Sequence, residues 1–542
     1  MQEPRYYRGS FCISLKREIM ATKVFAYDTT LRDGEQSEGI TLSLEDKLRI
    51  VACLDEFGVD YIEGGYPASN PKDIAFFKEV AKMDLKHARI AAFGSTCKKG
   101  VAAEDDSGLK DLLESGATVV TIVGKSWDAQ VERALMTTLE ENIRMVSESI
   151  AYLKAHGVEV VFDAEHFYDG YKANPAYSLE VIEAAVNAGA DSIDLCETNG
   201  GALPFEEITR VVTSRFPDQR FGVHCHNDSG CAVANTVAAV RAGCTQIQGT
   251  VNGYGERVGN CDLLCAIADL ELKMGYTVVG RDNLKQLTSV ARSVAEMCNM
   301  VHSMHHPYTG SSAFAHKGGL HASAIARFPE AYEHTKPENV GNTTRVLVSE
   351  LAGKASLVAK AKSLGFDLSG NGALTQQILD DIKERENQGF SYEIADGSLA
   401  VLLRMHMGTF KPHFTLESFR VIVDDKEDTN AWAKDATSEA TIKVHVGDQR
   451  FVATGEGVGP VGALDNALRL ALSGVYPEVN NIELVDFKVR ILDENVGTGA
   501  ITRVMITTSN GKESWGTIGV SENIIEASWN ALVDSFEYGL DR

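Results

Sequence analysis

The chain has 542 residues, 44% hydrophobic and 24% charged, and its 76 Asp and Glu against 52 Lys and Arg leave a formal charge of −24. That length exceeds one ordinary core and accommodates a barrel of about 250 residues with further units beside it. No run of about 18 apolar residues occurs, which excludes a membrane-spanning helix, and the acidic balance argues against a nucleic-acid partner, since phosphates are neutralised by basic surfaces.

Residues 1–21 carry Arg5, Arg8, Lys16 and Arg17 around the short stretch Phe11–Leu15, too brief for a secretory core, and read as a flexible extension in which Met20 is an alternative start. From Lys23 to about Leu270, short β-branched runs alternate with helical stretches, the pattern of βα units on a parallel sheet. The expected strands are Lys23–Tyr27, Tyr61–Gly64, Ile90–Phe93, Val119–Val123, Glu159–Asp163, Ser192–Leu195, Phe221–His226 and Thr245–Thr250. Several follow a glycine helix stop, at Gly58, Gly116, Gly157, Gly189 and Gly243. Eight strands predict an α/β fold, a (β/α)8 TIM barrel over residues 22–280, where a doubly wound sheet would need fewer. In a barrel the chemistry belongs to the loops after the strands.

Residues 281–405 read as a helical connecting subdomain, with a Gly- and His-rich loop between Pro307 and Ala322. Over 406–542 a strand-rich stretch followed by a helix occurs twice, from Phe414 to Ser473 and from Ile482 to Leu540, with turns at Gly447-Asp448 and Asn510-Gly511. Duplicated βββα units without a catalytic cluster predict an α+β regulatory or dimerisation domain. The ten cysteines, at 12, 53, 97, 196, 225, 231, 244, 261, 265 and 298, include no Cys-x-x-Cys pair and fit reduced thiols in the cytoplasm.

Strand seven ends in His224-Cys225-His226-Asn227-Asp228, and alternation along a strand puts both imidazoles on one face, able to bind a single divalent ion. The plainer reading is two partly buried histidines bonded to backbone; their place at the mouth of a barrel favours ligands. Strand one ends in Asp28-Thr29-Thr30-Leu31-Arg32-Asp33, and only strand eight separates strands one and seven in a closed barrel. Asp33 can then supply a third ligand and Arg32 can face a substrate, against the alternative of a solvated turn.

The segment Leu31-Arg32-Asp33-Gly34-Glu35-Gln36, with Lys47 after a ten-residue gap, resembles the first signature of the 2-isopropylmalate, homocitrate and citramalate synthases, and Phe221–Ala234 resembles their second. The likeness runs through essentially the whole chain after Met20. It implies metal ligands at Asp33, His224 and His226 with Asn260 beside the ion, which would be Zn, Mn or Mg. It further implies Arg32 and Thr198 on a 2-oxo acid, and Glu165 and His321 as candidate catalytic bases with Tyr332 near His321. Asp163-Ala164-Glu165-His166 departs from the family's usual setting of that glutamate.

The activity implied is that of an acyltransferase converting acyl groups into alkyl groups on transfer. An enolate from acetyl-CoA attacks the ketone and water then releases CoA. The strand-two exit Ile62-Glu63-Gly64-Gly65-Tyr66-Pro67-Ala68-Ser69-Asn70-Pro71-Lys72-Asp73 resembles one branch of citramalate synthases. It implies pyruvate as acceptor, (R)-citramalate as product and a place in isoleucine biosynthesis, with 2-oxoisovalerate and leucine biosynthesis as the alternative. The segment Gly455–Ala463 resembles part of an allosteric dimer domain, implying a homodimer with isoleucine as effector, or a dimerisation module that has lost its effector site. Rivals are a metal-dependent barrel lyase or carboxyltransferase and a catalytically silent amino-acid sensor. The chain lacks the Ala-Met-Lys-Met segment that a biotin-dependent carboxyltransferase would carry.

Overall fold

The structure is a computed structural model describing residues 22–67, 70–203, 205–317, 321, 324–325, 327–348, 353–424, 437–492 and 499–542. The extension expected over residues 1–21 lies outside the described residues, as do Ala68 and Ser69 of the strand-two exit. The chain divides into two compact units, one of residues 1–313 with 335–343, the other of 314–334 with 344–542.

In the first unit eight parallel strands close into a barrel, β1 Phe25–Asp28, β2 Tyr61–Gly65, β3 Arg89–Ser95, β4 Val119–Lys125, β5 Glu159–Glu165, β6 Ser192–Glu197, β7 Arg220–Cys225 and β8 Gln246–Gly249. The TIM barrel expected from the sequence is the observed fold. Closure is direct: Asp28 pairs with Gly249 of β8, and His224 of β7 pairs with Gln248. Each strand feeds a helix, α1 Leu44–Phe57, α2 Pro71–Val80, α3 Ser107–Glu114, α4 Leu139–Ala155, α5 Pro175–Asn187, α6 Glu206–Arg215, α7 Ala232–Arg241 and α8 Leu263–Lys273. Helix α1 shows why these segments are helical. Ser43 and Asp46 form a reciprocal capping box, Ile50, Val51, Leu54 and Phe57 recur on its buried face, and Gly58 ends it at φ 92°. Gly116, Gly157, Gly189 and Gly243 also adopt positive φ, as expected of helix stops.

Strands β4, β5 and β6 run two residues past the expected ends, because the ladder continues to the pairs Lys125 with Glu165 and Glu197 with Cys225. Strand β7 instead stops at Cys225, and His226 forms an isolated bridge to Asn260 of the loop after β8. The barrel interior starts with an apolar layer of Tyr27, Tyr61, Ala91, Val119 and Val161. Buried polar groups also occupy it: Gln246 Nε2 donates to Asp194 Oδ2 at 2.8 Å, and Gln248 Nε2 to Asp163 Oδ1 at 3.1 Å. Gly222 is required here, since a Cβ would lie 1.5 Å from Asp194 Oδ1.

After α8 the first unit continues with α9, Leu287–Met297. The stretch beyond departs from the helical expectation for residues 280–400. Described residues 299–348 hold two 3-10 turns, Pro329–Ala331 and Pro337–Val340, a short parallel pair of β9 Ala315–His316 with β10 Arg345–Val346, and helical residues only at His321, Ala324 and Ile325. Proline removes backbone donors here, and Gly341 at φ 68° stops the second turn.

The second unit adds α10 Lys354–Ser363, α11 Gly372–Asn387 and α12 Asp396–His406. It then repeats one pattern. Antiparallel β11 Thr415–Asp424, β12 Thr437–Val446 and β13 Gln449–Gly457 lead to α13 Pro460–Leu472, and antiparallel β14 Glu483–Ile491, β15 Thr502–Ser509 and β16 Ser514–Ser521 lead to α14 Ile524–Gly539. The first strand of each repeat shifts register near its start, between Leu416 and Ser418 and between Leu484 and Asp486. The α+β duplication expected from the sequence is therefore present down to a shared bulge. The nine described cysteines are all free, and Cys53 and Cys231 alone among them are half-buried rather than buried.

The turn leaving β1 is built on Asp28, whose carboxylate accepts from Thr30 N and Thr30 Oγ1, both at 2.9 Å, with the residue fully buried. Burial raises its pKa from 3.8 to about 7, outweighing those hydrogen bonds. The unfolded chain releases this proton near pH 4 and the folded chain only near pH 7, so this group's contribution to stability falls as pH rises between them. Asp28→Asn should remove that loss. The stability gap between the variant and the parent, read from urea midpoints, should widen with pH over this window at up to about 1.4 kcal/mol per pH unit. A constant gap would refute the assignment.

Candidate active site

At the C-terminal ends of the strands, Asp33, His224 and His226 converge, all buried, with ligand-type atoms within 4.8 Å of one another. Asp33 Oδ2 stands 3.2 Å from His224 Nε2 and 3.8 Å from His226 Nε2, and the two Nε2 atoms are 3.4 Å apart. His224 Nδ1 lies 2.9 Å from Gln248 Oε1, an acceptor-only atom, so Nδ1 carries a proton and the neutral ring offers its Nε2 lone pair to the cluster. Two imidazole nitrogens facing one another beside a buried carboxylate form a site that a shared proton or a cation would satisfy.

The electrostatics agree. Burial would raise Asp33, but the Arg32 guanidinium and the hydrogen bond from His224 hold its carboxyl well below the usual carboxylate range. Burial would lower His224, and the hydrogen bond and charge of Asp33, with Asp163, raise it instead. Burial and the neighbouring His224 depress His226 to about 3, leaving a neutral ring. The donor set of one carboxylate and two imidazoles suits a divalent transition metal or Mg. Asn260 Nδ2 donates to Asp33 Oδ2 at 2.5 Å, while Asn260 Oδ1 and His226 Nδ1 are buried without a hydrogen-bond partner. The residues present therefore fit a bound cation, with an unused oxygen at its edge.

The loop after β1 is pinned on three sides. Lys47, 1% exposed, bridges Glu35 Oε2 and Asp73 Oδ1, each at 2.9 Å, and so joins α1, α2 and the loop. Ser37 Oγ donates to Gly255 O at 2.9 Å and accepts from Gly255 N at 2.6 Å, tying the loop to the one after β8. Arg32 is oriented by Glu63, with Nε to Oε2 at 2.6 Å, by Asp33, with Nη1 to Oδ1 at 3.0 Å, and by the Phe93 ring 4.0 Å from Cζ. Glu63 in turn accepts from Tyr27 OH at 2.9 Å.

These groups face a cavity of about 240 Å³ whose lining includes Arg32, Asp33, Glu165, Thr198, His224 and His226. Glu165 forms an ion pair with Lys125 on the neighbouring strand, and both also line an adjoining cavity of about 500 Å³ with Leu135 and Met145. Thr198 Oγ1 accepts from His166 N at 3.0 Å, and Thr198 O accepts from Arg257 Nη2 at 2.8 Å. The structure thus gathers Arg32, Asp33, Glu165, Thr198, His224 and His226 on one cavity, with Asn260 against Asp33. His321 and Tyr332 belong to the second unit, where their rings stack with centroids 4.1 Å apart.

Sequence reasoning missed Glu63, Lys125 and Gln248 as parts of this site. A charged or amide residue at the inward-facing end of each barrel strand was the available signal, since such a position is costly unless the group is partnered.

Residues 23–294 match the HMGL-like family, 308–389 the homocitrate synthase post-HMGL domain-like family, and 393–540 the LeuA allosteric (dimerisation) domain. The chain is 49% identical to the (R)-citramalate synthase of Aquifex aeolicus over 96% of its own length and 98% of that protein. It is 50% identical to the (R)-citramalate synthase of Streptomyces coelicolor over 95% and 96% of the two chains. A probable 2-isopropylmalate synthase of Methanopyrus kandleri is 31% identical over 95% and 98%. An HMGL-like barrel with this cluster at its mouth, followed by a LeuA dimerisation domain and matched end to end at such identity, makes the chain a member of the (R)-citramalate synthase family.

Proposed function

We propose that the protein condenses acetyl-CoA with pyruvate and water to give (R)-citramalate and CoA. The observation that carries this reading is the convergence of Asp33, His224 and His226 beside a fixed Arg32 in a cavity of only about 240 Å³. Asp33, His224 and His226 would hold the divalent ion, Zn, Mn or Mg, with Asn260 Oδ1 at its edge. Such an ion, when bound, polarises a ketone and offsets the negative charge that develops on its oxygen.

The chain's own groups supply the rest. Arg32, locked by Glu63 and Asp33, presents a positive group to the 2-oxo acid without reorganising, and Thr198 adds a hydroxyl on the same cavity. Tyr66, Phe93 and Cys196 also wall this cavity, and its small volume supports an acceptor with a methyl rather than a branched substituent. Glu165 lines both this cavity and the larger one next to it, where Thr96, Leu135 and Met145 suit a pantetheine arm and Lys98 and Lys99 suit phosphate. It therefore stands where the methyl group of the thioester would meet the ketone, and we assign it the removal of the methyl proton, with Lys125 fixing its carboxylate. His321, stacked on Tyr332, is the alternative base by family resemblance.

In this reading residues 22–280 carry catalysis, 281–405 connect, and 406–542 regulate. The match to a LeuA allosteric (dimerisation) domain supports a homodimer with isoleucine as effector. Exposed Leu416, Ile422, Val452, Val485, Phe487 and Ile491 supply apolar surface for such pairing. Free cysteines support the cytoplasm as its compartment.

Thiol release from acetyl-CoA, compared across pyruvate, 2-oxoisovalerate, glyoxylate and 2-oxoglutarate, tests the acceptor. Pyruvate should give the highest kcat/KM, ahead of 2-oxoisovalerate by about 10- to 200-fold for each methylene the pocket rejects. A preference for 2-oxoisovalerate would move the activity to 2-isopropylmalate synthesis. His226→Ala should lower turnover at least about a hundredfold and abolish the rise in Tm on adding Mn²⁺, with the far-UV circular dichroism unchanged. Retained turnover in that variant would eliminate the metal-assisted route.

A further inference from the structure

The described residues hold one other group of three ligand-type side chains, Asp262, Cys265 and His306, whose donor atoms also lie within 4.8 Å of one another. None of them has a part in the acyl-transfer reading. Asp262 is the N-cap of α8, its Oδ1 accepting from Leu264 N at 3.1 Å and Cys265 N at 3.4 Å. That leaves Oδ2 to face the other two residues, with Cys265 Sγ at 2.9 Å and His306 Nε2 at 2.8 Å. The third member arrives from a separate segment, beyond α9. His306 Nδ1 lies 3.0 Å from Pro307 O and 2.8 Å from Thr309 Oγ1.

The chemistry of this arrangement is specific. A carbonyl can only accept, so Nδ1 carries a proton, and the contact of Nε2 with a carboxylate oxygen requires a second one. With both ring nitrogens on acceptor oxygens, His306 is an imidazolium in the metal-free cluster. Cys265 Sγ stands 2.9 Å from an acceptor-only carboxylate oxygen, so in the metal-free cluster it is an S–H donor. One carboxylate oxygen therefore gathers two protons, one from a thiol and one from an imidazolium. A cavity of about 390 Å³ opens on all three residues and gives a cation a way in.

We propose that Asp262, Cys265 and His306 form a second metal site, selective for a soft divalent cation such as Zn²⁺, with ligands Asp262 Oδ2, Cys265 Sγ and His306 Nε2 and a water from the cavity. The exchange balances. One M²⁺ enters, the Cys265 Sγ–H and His306 Nε2–H protons leave, and carboxylate, thiolate and neutral imidazole together neutralise the ion. The Nδ1–H of His306 stays bonded to Pro307 O, the outer contact that sets the ligating tautomer. Thiolate excludes Mg²⁺ as the preferred occupant. Bound metal would clamp the segment around His306 onto the start of α8, two residues beyond Asn260.

Cobalt titration of the metal-stripped full chain tests this, because thiolate bound to Co²⁺ gives a charge-transfer absorption that oxygen and nitrogen ligands do not. The parent should bind two Co²⁺ per chain, develop that band and release protons as it forms. Cys265→Ala and His306→Gln should each lose the band and one equivalent of metal. His226→Ala should lose the other equivalent and keep the band, which separates this site from the proposed catalytic one. Absence of the band in the parent, or its survival in Cys265→Ala, would overturn the proposal. If Cys265→Ala fails to fold, survival of the band in folded His306→Gln does the same.

Discussion

The buried carboxylate of Asp33 is the point on which the arrangement of the barrel mouth depends. It is 3% exposed, and a charge taken out of water to that degree is tolerable only with opposite charge and donors close by. Arg32, His224 and Asn260 supply them from the loops and strands around β1, β7 and β8. The order of strands in a closed barrel is what makes this possible, since the first and seventh are kept apart by a single strand. Register finishes the task, because β7 ends one residue before His226 and lets the backbone there bridge to Asn260.

A ring of hydrogen-bonded side chains surrounds that centre and fixes it. Gln248 sets the His224 tautomer and is itself fixed by Asp163, while Glu63 sets the Arg32 plane and is fixed by Tyr27. Asp163, pushed to about 7 chiefly by burial and then by Glu63, shows how crowded with negative charge the interior is. A positive charge at the mouth relieves that crowding, so the acidic interior and a cation-binding mouth are two sides of one electrostatic arrangement.

Much of this was legible in the sequence, and for identifiable reasons. Short β-branched runs alternating with helical stretches, several of them preceded by a glycine helix stop, located the barrel strands, and the two-residue spacing of His224 and His226 at the end of β7 pointed to their shared face. Strand ends were less legible, because Lys125 and Glu165 extend β4 and β5 through a cross-strand pair that no local pattern announces. The partners of Arg32 and His224 lie 31 and 24 residues away along the chain and meet them only through barrel closure. Outside the loop expected between Pro307 and Ala322, the described residues of 299–348 read as helical, but prolines and Gly341 turn the chain there. The paired bulges at Leu416 and Leu484 were invisible for a related reason: an extra residue in a strand changes pairing without changing the hydrophobic pattern much.

The burial of the cysteines has a practical side. Seven of the nine described sulfurs sit in buried residues, Cys53 is pushed up to about 11 by burial and neighbouring acids, and only Cys53 and Cys231 reach the half-buried class. Thiolate, not thiol, reacts with disulfide reagents and alkylators, so the seven buried sulfurs among the described residues offer them little. When a coloured disulfide reagent reports the mercaptan set free in each cycle, the background from the described residues is therefore confined to Cys53 and Cys231.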